Sequence, residues 1–590
     1  MGHYLKAATA VGLTLSLGSF APQSGFSPAL LAALDPSRIA AAICGERDHG
    51  AALARRLLIA LAYAAPASQL APIPLYADLT KSPFPLTTTN PKAKEYFSQG
   101  LLMTYGFNHA GAVRSFREAQ KLDPDCAMCW WGEAVALGPN INAPMDDRDR
   151  DAALAAMDKA MALRGKASPM EQALIEAVAK RYSRDPGADR AALDAAYADA
   201  MLAVAKRFPA DDDVAVMAAE AAMDTTPWNY WEADKKTPIG RTGEAIRLVE
   251  TVAARNPSHV QASHLYIHLV EASDGKRAEA AADRLSTEAL APSAGHLVHM
   301  PSHIYQVRGR YADSMKVNVA AARADEEYIR TAGDQSLVRY GYYPHNVHFI
   351  VASAQMAGDM GTAIKEAARL RTVLDVDTSS KIAWIQAIDA APYFAMAQFA
   401  SPDAILAMPA PDARLPYPTA MRHFARAVAY AERKDRVHFD AEMAALATLK
   451  ASDVFKPMID QGVPATDLLS IAENVARGRF AAAQGSYGEA ANFYRHAITF
   501  EGKIPYQEPP YWYYPVHQSL GAALYLGGKY DEASQAFIAA LAQAPNNGWA
   551  IYGLARSEDA RGHKAEAAAA RQALSKAWIG DQSWLRMERL

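Results

Sequence analysis

The sequence predicts an all-α protein built as a solenoid of stacked helical hairpins. Its 590 residues are too many for one compact core, so several domains or one repeat array are expected. Alanine-rich stretches recur throughout, and alternating Val, Ile and Thr are scarce, which favours helix over strand. Small and aromatic residues also recur at a fixed spacing. Stacked hairpins produce such a spacing because each unit buries its apolar face only against its neighbours.

The composition is that of an ordinary globular chain, and it argues against two classes of protein. Charged residues make up 21% of the chain and the formal net charge is −4, so no basic excess indicates a nucleic-acid partner. No apolar stretch after residue 90 is long and uncharged enough to span a bilayer. We therefore expect neither nucleic-acid binding nor an integral membrane protein.

Residues 1–67 have the features of a leader that directs export. Two runs combine the basic, apolar and small-residue parts of a secretory signal: Lys6 with residues 7–21, and Arg55-Arg56 with residues 57–67. The inner run is the better match because a proline-rich stretch follows it. We expect a mature chain that begins near residue 68 and resides outside the cytoplasm, in the periplasm. An unstructured alanine-rich leader is the alternative.

A repeat of about 34 residues is clearest near the two ends of the predicted array. Counted from Ala93, positions 8, 20, 24, 27 and 32 are Gly100, Ala112, Phe116, Ala119 and Pro124. Counted from Tyr514, the same positions are Gly521, Ala533, Phe537, Ala540 and Pro545. This pattern resembles the tetratricopeptide-repeat consensus, whose small residues lie where paired helices touch. The resemblance implies a superhelix of helical hairpins.

Weaker repeat units fill the middle of the chain, and prolines suggest where the array is interrupted. Residues 68–91 are predicted to be a proline-rich extended linker and 92–408 an N-terminal solenoid. Residues 409–418 are predicted to be a proline-rich break before a C-terminal solenoid over 419–590. The strings Cys-Ala-Met-Cys-Trp-Trp-Gly-Glu and His-Met-Pro-Ser-His-Ile-Tyr also resemble exported bacterial tetratricopeptide proteins of unsettled activity. That resemblance implies a fold but does not identify a reaction.

Histidines are concentrated in the middle of the array. Seven of the 16 lie between residues 264 and 348, where an even spread would place roughly two. They form three groups whose spacings place the members of each group on one helix face: His264, His268 and Glu271; His296, His299 and His303; His345 and His348. In tetratricopeptide repeats the corresponding positions line the concave groove, so the resemblance implies that all three groups face one space.

Imidazoles with a carboxylate suit copper, iron or zinc, whereas calcium and magnesium require oxygen ligands. We expect a transition-metal site, as a dinuclear centre or as one ion with catalytic histidines beside it. The predicted ligands are His264, His268, His299, His303, His348 and Glu271, and the predicted catalytic groups are Glu220, Glu271, His296 and His345. Histidines that bind a peptide or sense pH are the alternative.

Two reactions fit such a centre. Copper or iron would support oxidation of a small organic substrate, whereas zinc would activate water for hydrolysis with Glu220 or Glu271 as general base. The imidazole-rich ligand set and the nearby Tyr and Trp residues favour the oxidation. The competing hypothesis is a scaffold without catalytic activity that captures a partner peptide or protein in the same groove.

Aromatic residues in two loops are predicted to wall a substrate pocket over the metal. They are Trp228, Tyr230, Trp231, Tyr342 and Tyr343. A similar string, residues 511–515, precedes His517 and suggests an old internal duplication. The alternative is that these aromatics cap the solenoid and fill gaps between helices.

Cys126 and Cys129 are the cysteines outside the predicted leader. Trp130 stands where a haem-attachment motif needs histidine, and a four-cysteine zinc site lacks its second pair. Three interpretations remain. They are a disulfide, a soft-metal pair and a redox couple at the start of a helix.

Overall fold

The computed structural model describes residues 27–35, 72–287 and 291–590. Apart from a short helix, α1 (Pro28–Leu34), the predicted leader lies outside the described residues. Helices make up nearly all the regular structure of the described chain, and its β contacts are isolated bridges, Asn140 with Ala143 and Trp231 with Pro238. The predicted all-α hairpin solenoid is confirmed. Every described helix is too short or too polar to cross a lipid bilayer.

The N-terminal part of the array is a run of helices in which consecutive helices pack on each other. They are α2 (Pro91–Tyr105), α3 (His109–Leu122), α4 (Ala127–Ala136), α5 (Arg150–Leu163), α6 (Pro169–Val178), α7 (Arg190–Arg207), α8 (Asp212–Met223) and α9 (Thr242–Arg255). The central part carries the clustered histidines. Its helices are α10 (Val260–Asp274), α11 (Glu279–Thr287), α12 (Gly295–His299), α13 (Pro301–Val307), α14 (Tyr311–Ala332), α15 (Tyr343–Ala357) and α16 (Met360–Val373).

Shorter helices connect this part to the C-terminal hairpins. The connecting helices are α17 (Val376–Lys381), α18 (Ala383–Ile388), α19 (Ala391–Phe399) and α20 (Pro402–Leu406). The remaining helices are α21 (Pro416–Glu432), α22 (Arg436–Lys450), α23 (Lys456–Asp460), α24 (Ala465–Ala483), α25 (Tyr487–Glu501), α26 (Val516–Leu526), α27 (Tyr530–Gln543), α28 (Gly548–Ala560) and α29 (Lys564–Ala577).

Glycines at position 8 let the two helices of a hairpin approach closely. A Cβ atom on Gly100 would lie 2.7 Å from the ring of Phe116, and one on Gly521 would lie 2.9 Å from the ring of Phe537. A contact this short leaves no room for a side chain. The repeat positions read from the sequence are therefore the positions at which paired helices touch.

The predicted linker and break are both packed against the rest of the chain. The described part of the linker, residues 72–90, is extended except for a turn at Ala77–Leu79, and it buries Leu79 and Phe84 in the core. Around the break, α19 packs on α21, and Pro416 begins α21. The two largest hydrophobic clusters meet along α14 and at the start of α15, where Tyr342 belongs to one cluster and Tyr343 to the other.

Both ends of the superhelix fold back onto its central helices, an arrangement that we call its closure and that the sequence alone does not reveal. At the N-terminal side, Arg114 donates to the carbonyl of Ala332 over 2.8 Å. At the C-terminal side, Trp549 Nε1 donates to the carbonyl of Gln355 over 2.9 Å. A Cβ on Gly309 would lie 2.0 Å from the carbonyl oxygen of Pro545. Both ends of the array therefore pack against the central helices.

Cys126 and Cys129 form a disulfide in the first turn of α4. Both residues are almost fully buried, and the sulfur of Cys126 also accepts the backbone N–H of Cys129 at 3.2 Å. The pair belongs to none of the metal-ligand clusters found among the described residues.

Candidate metal centre

Three elements bring six histidines into one buried space. Helix α10 supplies His264 and His268; the short helices α12 and α13 supply His296, His299 and His303; and α15 supplies His345. Five of these side chains are buried, and His345 is half-buried. The shared faces follow from the helical spacings, and convergence follows from the stacking of successive hairpins.

The histidines form two adjacent triads, which we call triad A and triad B. Triad A is His264, His268 and His296; triad B is His299, His303 and His345. In each triad one ligand nitrogen from every ring lies within 4.8 Å of the others. Two metal–nitrogen bonds of about 2.1 Å would span a similar distance, so a modest inward rotation of the rings would complete either site.

The two triads are close enough to act as one centre. The ring centroids of His268 and His303 are 5.6 Å apart, and those of His296 and His299 are 5.9 Å apart. A ligand from triad A therefore faces a ligand from triad B at two places. This arrangement suits a pair of ions with a shared space between them.

Side-chain oxygens fix the orientation of four of the six rings. His264 Nδ1 donates to Gln261 Oε1 at 3.0 Å, and His299 Nδ1 donates to Asn318 Oδ1 at 2.6 Å. His268 and His303 both donate from Nδ1 to Glu271, at 2.9 and 2.5 Å. Metal-ligating histidines characteristically use one ring nitrogen in this way, which leaves the other as a ligand.

The second ring nitrogens face inward. Nε2 of His264 and Nε2 of His296 are buried and receive no hydrogen bond from the described protein. The Nε2 atoms of His299 and His303 lie 2.8 Å apart. Since both rings already donate from Nδ1, two nitrogen lone pairs would meet there unless a proton or a metal ion lay between them.

Burial keeps most of these imidazoles neutral. It lowers the pKa of His264, His296, His299 and His345 well below 6.5, and the neighbouring histidines lower each pKa further. Neutral imidazole is the form that binds metal. His303 is the exception, because Glu271 and Glu508 outweigh its burial and raise its pKa to about 10.

Residues from the first hairpin and from a C-terminal loop pack against the centre. The ring of Phe107, in the turn between α2 and α3, lies 4.5 Å from the ring of His264 and 5.4 Å from that of His296. Glu508, in the loop between α25 and α26, places Oε2 2.7 Å from His303 Nδ1. The closure of the superhelix therefore determines what surrounds the histidines.

Three predicted ligands or catalytic groups lie outside the triads: Glu271 forms a third possible ion-binding group with His303 and Glu508, whereas His348 and Glu220 belong to none. His348 lies one turn beyond His345, and its Nε2 contacts the hydroxyl of Tyr513 at 2.7 Å. Glu220 accepts a hydrogen bond from Gln261 at 3.0 Å, and Gln261 in turn accepts one from His264. Gln261 therefore lies between Glu220 and His264. Burial raises the pKa of Glu220 to about 7.

The predicted aromatic wall is only partly at the centre. Trp228 lies 5.0 Å from the ring of His268, and Tyr342 stacks on His296 at 4.5 Å. Tyr230 is buried. Trp231 donates from Nε1 to the backbone carbonyl of Leu269. Tyr343 donates to Glu326, away from the histidines. Two of the five predicted residues therefore contact the triads.

Sequence reasoning missed Glu508, Asn318 and Phe107. Glu508 is followed by the aromatic string 511–515, which is a visible feature, but no spacing relates it to the histidines. Asn318 lies on α14, which carries none of the clustered histidines, and Phe107 lies in a turn. Glu508 and Phe107 reach the centre through packing between distant hairpins, and Asn318 reaches it because α14 packs on α12 and α13. The periodicity of a single helix predicts neither kind of contact.

Asn318 is expected to position His299 for metal binding. Its Nδ2 donates to the carbonyl of Ser314 at 2.8 Å, which turns Oδ1 toward the histidine. Asn318→Ala is expected to weaken metal binding by about 10–100-fold, measured by competition with a chelator. Asn474→Ala is the matched control because Asn474 makes the same bond to the carbonyl of Ser470 but contacts no histidine. An equal affinity in both variants would exclude this role.

Comparison with known proteins gives only weak structural likeness. No protein-family model and no curated protein matches the sequence. Similar solved structures include human IFIT1 with m7Gppp-AAAA (13% identity, 83% of this chain and 91% of that chain, TM-score 0.27) and yeast Tom70 (8%, 84% and 94%, TM-score 0.28). The Cut9–Hcn1 hetero-tetramer of APC/C is another (14%, 82% and 90%, TM-score 0.25). Scores this low carry no argument, so the fold assignment rests on the hairpins described above.

Proposed function

We propose that this chain is an exported metalloenzyme that binds two transition-metal ions, one in each triad, and oxidises a small organic molecule. The observation that carries the proposal is the pair of Nε2 atoms of His299 and His303, 2.8 Å apart, with both Nδ1 atoms already donating to oxygens. A metal ion bound to these nitrogens would replace the proton that the raised pKa of His303 places between them.

The donor set favours copper, with iron and zinc as the competing metals. Each triad offers three imidazoles, and imidazole sites bind copper most strongly among the divalent first-row metals. A copper pair would supply the oxidant, because two Cu(II) ions accept the two electrons that the substrate loses and become Cu(I). The chain holds the rings at fixed orientations through Glu271, Asn318 and Gln261, and it excludes water with Phe107.

Hydrolysis is disfavoured because neither predicted general base is free to act on a water at the triads. Glu220 contacts Gln261 and lies behind His264. Glu271 accepts from His268 with one oxygen and from His303 with the other. A general base must reach the water that it deprotonates.

The scaffold alternative requires histidines that a partner peptide can touch. His264 and His299 are 0% exposed, and Phe107 packs over triad A. Their burial favours ion binding over peptide capture. The groove at this point is filled by the first hairpin and by the loop that carries Glu508.

Elemental analysis of untagged protein tests the proposal. Protein reloaded with copper and freed of excess metal is expected to contain two ions per chain. A variant with His268→Ala and His303→Ala is expected to contain none, because it breaks both triads. Wild-type protein that retains no copper, iron or zinc after reloading would overturn the metal centre. Two zinc ions retained in preference to copper would overturn the oxidation.

A further inference from the structure

A cavity of about 450 Å³ lies beside the metal centre, between the central helices and the loop 502–515. Its inner end is formed by Glu271 and Glu508, both buried, and its outer end by Asp274 and Lys276, both exposed. Glu271 and Glu508 also contact His303. The cavity therefore leads from the surface to the side chains that orient a triad B ligand, and its volume fits a small organic molecule.

The walls of the cavity are aromatic. They include Tyr311, Tyr506, Tyr511, Trp512, Tyr513 and Tyr514. Five of these six residues belong to the string 506–514, part of which the sequence singled out as a second aromatic segment. Aromatic walls of this kind stack on a flat ring in preference to a saturated one.

The charges around the cavity are mainly negative. Four carboxylates line it, Glu271, Asp274, Glu501 and Glu508, against two cations, Lys276 and Arg308. Arg308 also faces Glu279 at 3.5 Å, and that pairing reduces its effect on the cavity. An excess of carboxylates in a partly enclosed space attracts a cationic ligand and repels an anionic one.

The carboxylate of Glu508 lies at the inner end of the cavity. Tyr506 donates its hydroxyl to Glu508 Oε1. Glu508 Oε2 lies 2.7 Å from His303 Nδ1, which also lies 2.5 Å from Glu271 Oε2, so one imidazole N–H is shared between two carboxylates. A carboxylate oxygen accepts more than one hydrogen bond, and a ligand ammonium group would supply a second donor to Oε2.

We infer that the cavity binds an aromatic amine, with its ring between the tyrosines and Trp512 and its ammonium group on Glu508 Oε2. The inference rests on the proposed function in one respect only: it takes this ligand to be the substrate of the neighbouring metal centre. Aromatic walls, a carboxylate excess and a buried carboxylate at the inner end together define the ligand class.

Calorimetry on the full chain tests the inference with three small probes. Tyramine is expected to bind at least tenfold more tightly than 3-(4-hydroxyphenyl)propionate, which has the same ring and the opposite charge. It is also expected to bind more tightly than 2-cyclohexylethylamine, which keeps the amine and lacks the aromatic ring. Equal binding of tyramine and the propionate, or no binding of tyramine, would overturn the inference.

The same titrations in Glu508→Gln protein locate the ammonium group. The variant is expected to bind tyramine about tenfold more weakly, since it loses a charge-assisted hydrogen bond. Glu442→Gln is the matched control, because Glu442 pairs with His423 at 2.6 Å outside the cavity. Unchanged tyramine binding in Glu508→Gln protein would overturn the assignment of Glu508.

Two further measurements distinguish a failure of this inference from a failure of the metal proposal. The titrations are repeated on chelated wild-type protein, where tyramine selectivity is expected to persist because the cavity is formed by the chain alone. Selective binding to protein that retains no metal would leave the cavity assignment standing and overturn only the metal centre. If Glu508→Gln protein fails to fold, as shown by circular dichroism, the comparison of probes on wild-type protein still decides the ligand class.

Discussion

Replacing His296 with alanine is expected to reduce the bound metal from two ions to one per chain. His296 is a ligand of triad A and not of triad B, so its loss leaves the three ligands of triad B in place. His345→Ala is expected to remove the other ion for the corresponding reason. Elemental analysis after reloading and removal of excess metal measures both results.

The control for these variants is a partly buried histidine that lies outside both triads. His423 lies 2.6 Å from Glu442 through Nδ1, and no metal-ligand cluster of the described residues includes it. His423→Ala protein should therefore retain both ions. Loss of both ions in His296→Ala protein would show that the six histidines form one indivisible site, and retention of both would show that triad A does not bind metal.

The sequence predicted the architecture well because the repeat is a local pattern. Gly100 and Phe116 occupy consensus positions, and the structure brings these two positions into contact. The helix faces were also predictable, since imidazoles spaced by three, four or seven residues share a face. His264 and His268 were therefore identified correctly as neighbours on one helix, and His299 and His303 as neighbours across the break between α12 and α13.

The assignment of roles within the site was less predictable. His345 and His348 share one face of α15, yet only His345 reaches a triad, because His348 is one turn further along and meets Tyr513. Glu508 lies more than 200 residues after the histidines that it contacts. Its approach depends on the curvature of the whole superhelix, which the spacing of residues within one helix does not encode.

The contact between Gly309 and Pro545 makes the closure of the superhelix testable. Gly309 has a φ of +69°, and a Cβ there would lie 2.0 Å from the carbonyl oxygen of Pro545 and 2.5 Å from its carbonyl carbon. Because the obstruction is backbone, Gly309→Ala must separate the C-terminal hairpins from the central helices. We expect it to lower the free energy of unfolding by more than about 3 kcal/mol, measured by denaturant titration.

Gly333→Ala separates the effect of closure from that of backbone strain. Gly333 has a φ of +61°, close to that of Gly309, but no atom lies within 4 Å of its hypothetical Cβ. The free energy of unfolding of that variant should fall by only about 1–2 kcal/mol, the cost expected for alanine in a left-handed conformation. The difference in unfolding free energy between the two variants then measures the contribution of the Gly309–Pro545 contact. Equal losses in the two variants would contradict a stabilising contact there.

The same pair of variants tests whether closure supports the metal centre. Tyr311, Met356, Tyr514 and Ala544 form a small cluster beside the Gly309 contact, and Tyr514 belongs to the loop that carries Glu508. Moving the C-terminal hairpins away therefore moves Glu508 away from His303. Gly309→Ala protein is expected to bind metal more weakly than Gly333→Ala protein under conditions where both remain folded. Equal metal affinity would show that the triads are held by the central helices alone.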